Sequence, residues 1–276
     1  MSGRAKQLLA ILQRDIAENR VILPSLPEVA FRVRQLTADP DCSVAQLEHE
    51  ITKDAAIAAR LVKVSNSTAV LRGKPVSSLH QAITNLGFDL VRSLVTQLAI
   101  LQTMQHHKSD ARMRGFVAGS LRISALSHTL AGYQKHLDPE QAALGGLLHD
   151  IGKLPLREFL GQRAELNDQQ RLHVEQILHP VVGALMLRRW QMPEALVEMA
   201  RHHEKILRES GQARADYVDI VIAANLLHYG TESGRYAHYA GLDIPALNKC
   251  VHGHAEEQVH QTTEERMAMG LNMIDA

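Results

Sequence analysis

Leu144-Gly145-Gly146-Leu147-Leu148-His149-Asp150-Ile151-Gly152-Lys153-Leu154 carries an adjacent imidazole and carboxylate at the end of an almost wholly apolar run. Upstream, Asp138-Pro139-Glu140 supplies a helix start, with Asp138 as N-cap and Pro139 at the first helical position. A helix begun there is apolar nearly all round at Ala142, Ala143, Leu144, Leu147 and Leu148, so it is expected to run through the interior. Its last turn then delivers His149 and Asp150 side by side into that interior. Burying a carboxylate beside an imidazole costs free energy unless a cation or hydrogen-bond partners compensate. A divalent ion is one such compensation, because neutral imidazole and carboxylate suit Zn, Mn or Fe. The plainer alternative is an Asp that holds a neighbouring polar group and a His that finishes a helix.

The same helical periodicity extends outward from this run in both directions. Leu8, Leu9, Ile11, Leu12 and Ile16 predict an amphipathic helix over about residues 4 to 19. Leu23-Pro24-Ser25-Leu26-Pro27 breaks it, and Pro27 opens a helix with Val29, Ala30, Val33 and Leu36 inward. Ser43 with Gln46 forms a capping-box pattern for a helix through Ile51, and Asp54 starts another that ends near Ser65-Asn66-Ser67. Ser77 or Ser78 caps Leu79 to Leu86, Gly87 stops it, and Phe88 to about Met104 and Asp110 to Tyr133 are long apolar helices. Beyond the central run, Gly161 to Arg171 reads as a surface connection. His179-Pro180 then begins a helix, Met192-Pro193-Glu194 begins the next, and Asp216 to Tyr229 is strongly apolar. No segment alternates with the period of a strand, so the fold class is all-α, a helical N-terminal bundle packed on a second helical lobe.

With 276 residues, 45% of them hydrophobic and 22% charged, the composition is that of an ordinary globular protein. Thirty Lys+Arg balance thirty Asp+Glu, so no overall field favours nucleic acid or an acidic membrane. Only Arg112, Arg114 and Arg122 on one helix argue for nucleic acid, and without net basic charge none is expected. Cys42 and Cys250 form no metal or redox motif, which fits a reducing cytoplasm. No apolar run approaches the roughly 18 residues of a membrane span, and the charged N-terminus does not read as a signal peptide.

The segment Gly-Gly-Leu-Leu-His-Asp-Ile-Gly-Lys-Leu resembles the signature of the HD superfamily of metal-dependent phosphohydrolases. Leu23-Pro24-Ser25-Leu26-Pro27, Ile51-Thr52-Lys53-Asp54, Ala59 to Ser67 and Ile83-Thr84-Asn85-Leu86-Gly87 narrow this to the HDOD family, the HD-related output domains. Ala55 departs from the proline usual there. The resemblance divides the chain into an N-terminal helix (1–20), an HDOD domain (21–230, with lobes 21–108 and 109–230) and a C-terminal extension (231–276). It also implies a set of metal ligands. His149 and Asp150 match the HD pair, and His179, His202 and His203 match further ligands of two-metal HD enzymes. His179 as an N-cap and His202-His203 as a solvated helix end are the alternatives. Two departures weaken the catalytic expectation. Gly119 stands where the first ligand histidine is expected, and Asn225 where the last aspartate is expected.

The function expected from the resemblance is therefore a non-catalytic bacterial signal-transduction output or adaptor module with a degenerate HD site. It requires no cofactor, although the site could keep a residual Fe, Mn or Zn ion. Protein partners in signalling are expected, and a homodimer is compatible with it. The competing expectation is a metal-dependent phosphohydrolase acting on nucleotides or cyclic dinucleotides. Such chemistry needs cations near the ion, and Lys153, Arg157 and Arg122 are the candidates. If no ion binds, Asp150 is expected to find donors in the nearby imidazoles and the Asn225 amide. Cys250, His252 and His254 make a weaker metal pattern, since the two histidines would diverge on a helix.

Overall fold

The computed structural model describes residues 3–18, 23–67, 75–106, 111–251 and 256–271. Among them there is no strand, and the all-α expectation holds. The central helix, α8 (Pro139–Leu148), starts as its sequence demands. Asp138 Oδ1 accepts from the Glu140 amide at 2.9 Å, and Pro139 takes the first turn. Every residue from Ala142 to Leu148 is buried. A second helix, α7 (Ala111–Gly132), lies along it. Gly146 permits that approach, since a Cβ there would stand 2.8 Å from the Ile123 carbonyl and 2.6 Å from Ser127 Oγ.

Five helices build the N-terminal lobe: α2 (Glu28–Thr37), α3 (Val44–Thr52), α4 (Ala55–Ser65), α5 (Leu79–Leu86) and α6 (Phe88–His106). Val33, Leu47, Ile51, Ile57, Leu61, Ile83, Val91 and Val95 form their core. Ser43 and Gln46 make the capping box, and Asp54 caps α4 through the amides of Ala56 and Ile57. Ser78, not Ser77, caps α5, and Gly87 ends it at φ 77°, where a side chain would be strained. Asn66 does more than end a helix. Its amide nitrogen donates to the Val76 carbonyl and its oxygen accepts from the Val76 amide, both at 2.8 Å. Asn66→Ala is expected to cost about 1–2 kcal/mol by removing both bonds, read as a shift in the urea midpoint. An unchanged midpoint would show that the clamp contributes nothing.

Helix α6 belongs to two cores. Leu98 and Ala99 pack in the N-terminal lobe, while Ile100, Leu101 and Met104 pack with α7 and α8. The seam is tied again where Trp190 Nε1 donates to the Pro24 carbonyl at 2.8 Å. The expected boundaries near residues 20 and 108 fall on residues outside those described. Helix α1 (Gly3–Ala17) lays Leu8 and Leu12 on Leu156, Phe159 and Leu160 of α9 (Lys153–Gly161) and on Leu178 and Val182.

Helix α10 corrects one expectation. It runs from Asp168 to Arg189 in one piece, so Pro180 lies inside a helix rather than near its start. The start is set by Asn167, whose side chain accepts from the Gln170 amide in a second capping box. Proline reads as a helix opener because its missing N–H is harmless only in the first turn. Here the packed helix absorbs the loss.

Helices α11 (Glu194–His202) and α12 (Tyr217–Tyr229) follow, then a 3-10 turn (Gly234–Tyr239), α13 (Pro245–Val251) and α14 (Glu256–Leu271). The segment after Gly230 is part of the core: Tyr236, Ile244 and Ala246 pack with Ile206, Val218, Ile222 and Leu226. Fully buried Asp219 fastens this region, accepting from Arg208 Nη1 at 2.8 Å and Lys249 Nζ at 3.2 Å. Burial pushes the Cys250 thiol well up, and His252 and His254 lie outside the described residues. No helix among the described residues is long and apolar enough to cross a membrane.

Candidate metal centre

His149 caps the C-terminal end of α8, and the turn after it holds Asp150 before α9 begins. His179 sits in mid-α10 and His203 is the C-cap of α11. The four side chains meet inside the second lobe, at most 6% exposed. Gly152 sets the approach of the turn to α10, since a Cβ there would lie 2.2 Å from the His179 carbonyl and 2.4 Å from the Gly183 nitrogen.

Each imidazole is held the same way. Nδ1 of His149 lies 2.7 Å from the Gly146 carbonyl, Nδ1 of His179 2.9 Å from that of Glu175, and Nδ1 of His203 2.9 Å from that of Ala200. A carbonyl can only accept, so Nδ1 carries the proton in all three, and in the neutral rings Nε2 keeps its lone pair. This is the arrangement of metal-ligating histidines, whose other nitrogen donates to an outer partner.

A fifth side chain, Glu204, joins them. Its Oε1 lies 3.5 Å from His179 Nε2 and 3.4 Å from His203 Nε2. Asp150 Oδ1 lies 3.0 Å from His179 Nε2 and 3.3 Å from His203 Nε2, and the two Nε2 atoms are 3.0 Å apart. Ligands at about 2.1 Å in a tetrahedron are about 3.4 Å from one another. One ligand atom from each of Asp150, His179, His203 and Glu204 lies within 4.8 Å of the others, so the set fits a single ion. Two buried atoms strengthen the fit: His149 Nε2 and Asp150 Oδ1 have no hydrogen-bond partner. Asp150 Oδ1 instead faces the two imidazole nitrogens at 3.0 and 3.3 Å. Two imidazole nitrogens and two carboxylates favour Zn, Fe or Mn over Mg, and His149 Nε2 stands outside that set of four, 3.4 Å from the other Asp150 oxygen, Oδ2.

Electrostatics tell the same story in the absence of an ion. Burial disfavours the His203 imidazolium, but Asp150 and Glu204 outweigh it and hold that group up to about 9. Burial pushes His149 down, against the opposing pull of Asp150. Burial would raise both acids, yet His149 and Lys153 hold Asp150 well down, and His179, His203 and Arg235 do the same for Glu204.

Several expected roles fall differently. His202 is not among the converging side chains: its Nε2 faces Glu198 one turn back, at 3.1 Å. Consecutive helical residues point about 100° apart, so His202 and His203 cannot both face the centre. The Asn225 amide does not reach Asp150; its Nδ2 donates to the Val221 carbonyl at 3.0 Å on its own helix. Lys153 supplies that donor instead, with Nζ on Asp150 Oδ2. Arg157 forks onto Glu175 at 3.0 and 3.1 Å, and Arg122 pairs with Glu264. Where Gly119 offers no ligand, the Tyr229 hydroxyl comes in, 3.2 Å from the place a Cβ would take. Burial, then the charge of Asp150, raises that phenol. Glu204 adjoins His203 in sequence, and its adjacency to two histidines was the one available signal. Arg235, on the 3-10 turn, pairs with Glu204 and had no signal in its spacing.

Among solved structures, the chain is similar to the "Putative metal-dependent phosphohydrolase" of Shewanella amazonensis, with TM-score 0.73 and 23% identity, covering 96% of this chain and 99% of that one. An HDOD domain protein of unknown function from Geobacter sulfurreducens gives TM-score 0.65 and 20% identity, over 95% of each chain. A "Putative signal transduction protein" of Marinobacter aquaeolei gives 0.59 and 22%, over 94% of this chain and 60% of that one. At these identities the likeness shows the fold. A curated Treponema pallidum protein, uncharacterised, is 21% identical over 209 residues, and the match spans 71% of this chain but only 40% of that protein. The HDOD domain profile matches residues 23–206, from the proline-rich opening through α11 and the whole histidine-carboxylate centre, and by that match the chain belongs to the HDOD domain family.

Proposed function

We propose that this chain is a signal-transduction output or adaptor module whose degenerate HD site holds one transition-metal ion without turning over nucleotides. The proposed ligands are His149, Asp150, His179, His203 and Glu204, with His202 left outside. The proposed working unit is residues 21–230, in lobes 21–108 and 109–230, with protein partners and a cytoplasmic setting. Membership of the HDOD family and the name of the Marinobacter relative support a signalling role. The observation that carries the non-catalytic reading is the Tyr229 hydroxyl against Gly119. The position expected to give a further histidine ligand is filled by a phenol, and Asn225 is turned onto its own helix. What remains suits one ion with its ligands supplied by the chain. Two-metal chemistry needs a second ion to clamp the leaving or attacking oxygen.

Bound in this set, an ion of Zn, Fe or Mn would supply Lewis acidity. The chain's own residues fix it: three carbonyls set the imidazoles, and Lys153 orients Asp150. The test is to supply Mn, Fe, Zn or Mg to the metal-stripped protein with nucleotides and cyclic dinucleotides. No phosphate or nucleotide release above background is expected. Turnover near ~1 per second, abolished in His149→Ala, would establish the phosphohydrolase reading instead. That second reading is favoured by Lys153, a cation beside Asp150 where developing phosphoryl charge could be met.

A further inference from the structure

The carboxylates of the centre already have cations of the chain's own. Lys153 covers Asp150 from the start of α9, within the turn that builds the site. Arg235 comes from elsewhere, from the 3-10 turn that follows α12, and its Nη2 donates to Glu204 Oε1. That oxygen is the same atom that faces His179 and His203 Nε2. The guanidinium is held from the other side by aromatic faces, 4.7 Å from the centroid of Tyr236 and 5.7 Å from that of Tyr229. Tyr236 is anchored in the apolar cluster with Ile206, Val218, Ile222 and Ile244. The arginine is thus delivered as a packed part of the fold.

Two carboxylates and two tethered cations leave the centre with no net negative charge to attract an ion. A divalent ion binding there would share the Glu204 oxygen with a guanidinium and feel its charge at short range in a largely buried site. Resting on the metal-centre reading above, we propose that Arg235 is a tethered counter-cation that competes with a divalent metal for Glu204. Residues 232–241 thereby act as a strap that sets how readily the centre is loaded. With Arg235 seated, the Glu204 oxygen is shared with a guanidinium and its negative charge is offset.

The competing role for an arginine in this place is to orient Glu204 as a ligand, and the two roles predict opposite signs. Zn2+ is titrated calorimetrically into the metal-stripped full chain and into Arg235→Gln and Arg235→Lys variants, with circular dichroism to confirm folding. Competition predicts at least tenfold tighter Zn2+ binding in Arg235→Gln. Arg235→Lys, which keeps the charge but loses the flat stacking surface, should fall between that variant and the parent. If Arg235→Gln does not fold, Arg235→Lys carries the test, with binding tighter than the parent expected. Loss of an outer partner that orients a ligand would instead weaken binding by roughly 10- to 100-fold. Weaker or unchanged binding therefore overturns the proposal while leaving the metal centre standing. Absence of Zn2+ binding in the parent and every folded variant overturns both.

Discussion

Asp219→Ala is expected to destabilise the protein by about 3–5 kcal/mol, the cost of removing one partner from a buried charge network. Asp219 is fully buried and lies near the start of α12. It accepts from Arg208 at 2.8 Å, from Lys249 at 3.2 Å and from the Asp216 amide at 3.2 Å. The alanine variant strands the Lys249 ammonium, whose remaining partner is the Ser210 hydroxyl. Arg208 keeps Asp216 and suffers less. Asp219→Asn, which fills the same space and can still accept hydrogen bonds, should lose distinctly less than alanine. Urea titration of the two variants is the measurement. A loss under about 1 kcal/mol for Asp219→Ala would mean that water reaches Lys249 and Arg208 and that the network is a surface one.

Gly152→Ala should cost about 3 kcal/mol, at the upper end for overpacking in a rigid contact. The clash is with backbone, 2.2 Å to the His179 carbonyl and 2.4 Å to the Gly183 nitrogen, so no rotamer change relieves it. The turn carrying Asp150 has to move off α10. That opens the 3.0 Å approach of Asp150 to His179, so any ion held between them should bind at least tenfold more weakly. Denaturant midpoints and Zn2+ titration on the same sample test both halves. Stability within about 0.5 kcal/mol of the parent, the usual range of an innocuous surface change, would refute the close-contact account.

The apolar turn-and-helix around His149 was readable because its signals agree: an N-cap, a proline at the first position and an almost uninterrupted apolar run. The caps at Ser43, Asp54 and Asp138 were readable for the same reason, since each is a local hydrogen bond between near neighbours. Pro180 misled because local preference favours a helix start, while tertiary packing carried α10 straight through it. The assignment of His202 alongside His203 came from resemblance, and resemblance does not fix which way each ring points. Helical geometry separates them, and the chain then leaves the helix at His203, which lets Glu204 turn inward. Arg235 was unreadable. Its partner lies 31 residues earlier, its neighbours Gly234 and Tyr236 carry no ligand pattern, and only the packing of Tyr236 brings it to the centre.

The Trp190 indole, hydrogen-bonded to the Pro24 carbonyl, is the chain's sole tryptophan. It is 8% exposed and stands where the opening segment meets the end of α10. The protein therefore carries a native optical gauge at the joint between its two lobes. Its emission should be short-wavelength and well shielded from quenchers while the joint is closed. A partner or ion that prises the opening segment away would register as a red shift, before any global loss of helix, with no label attached.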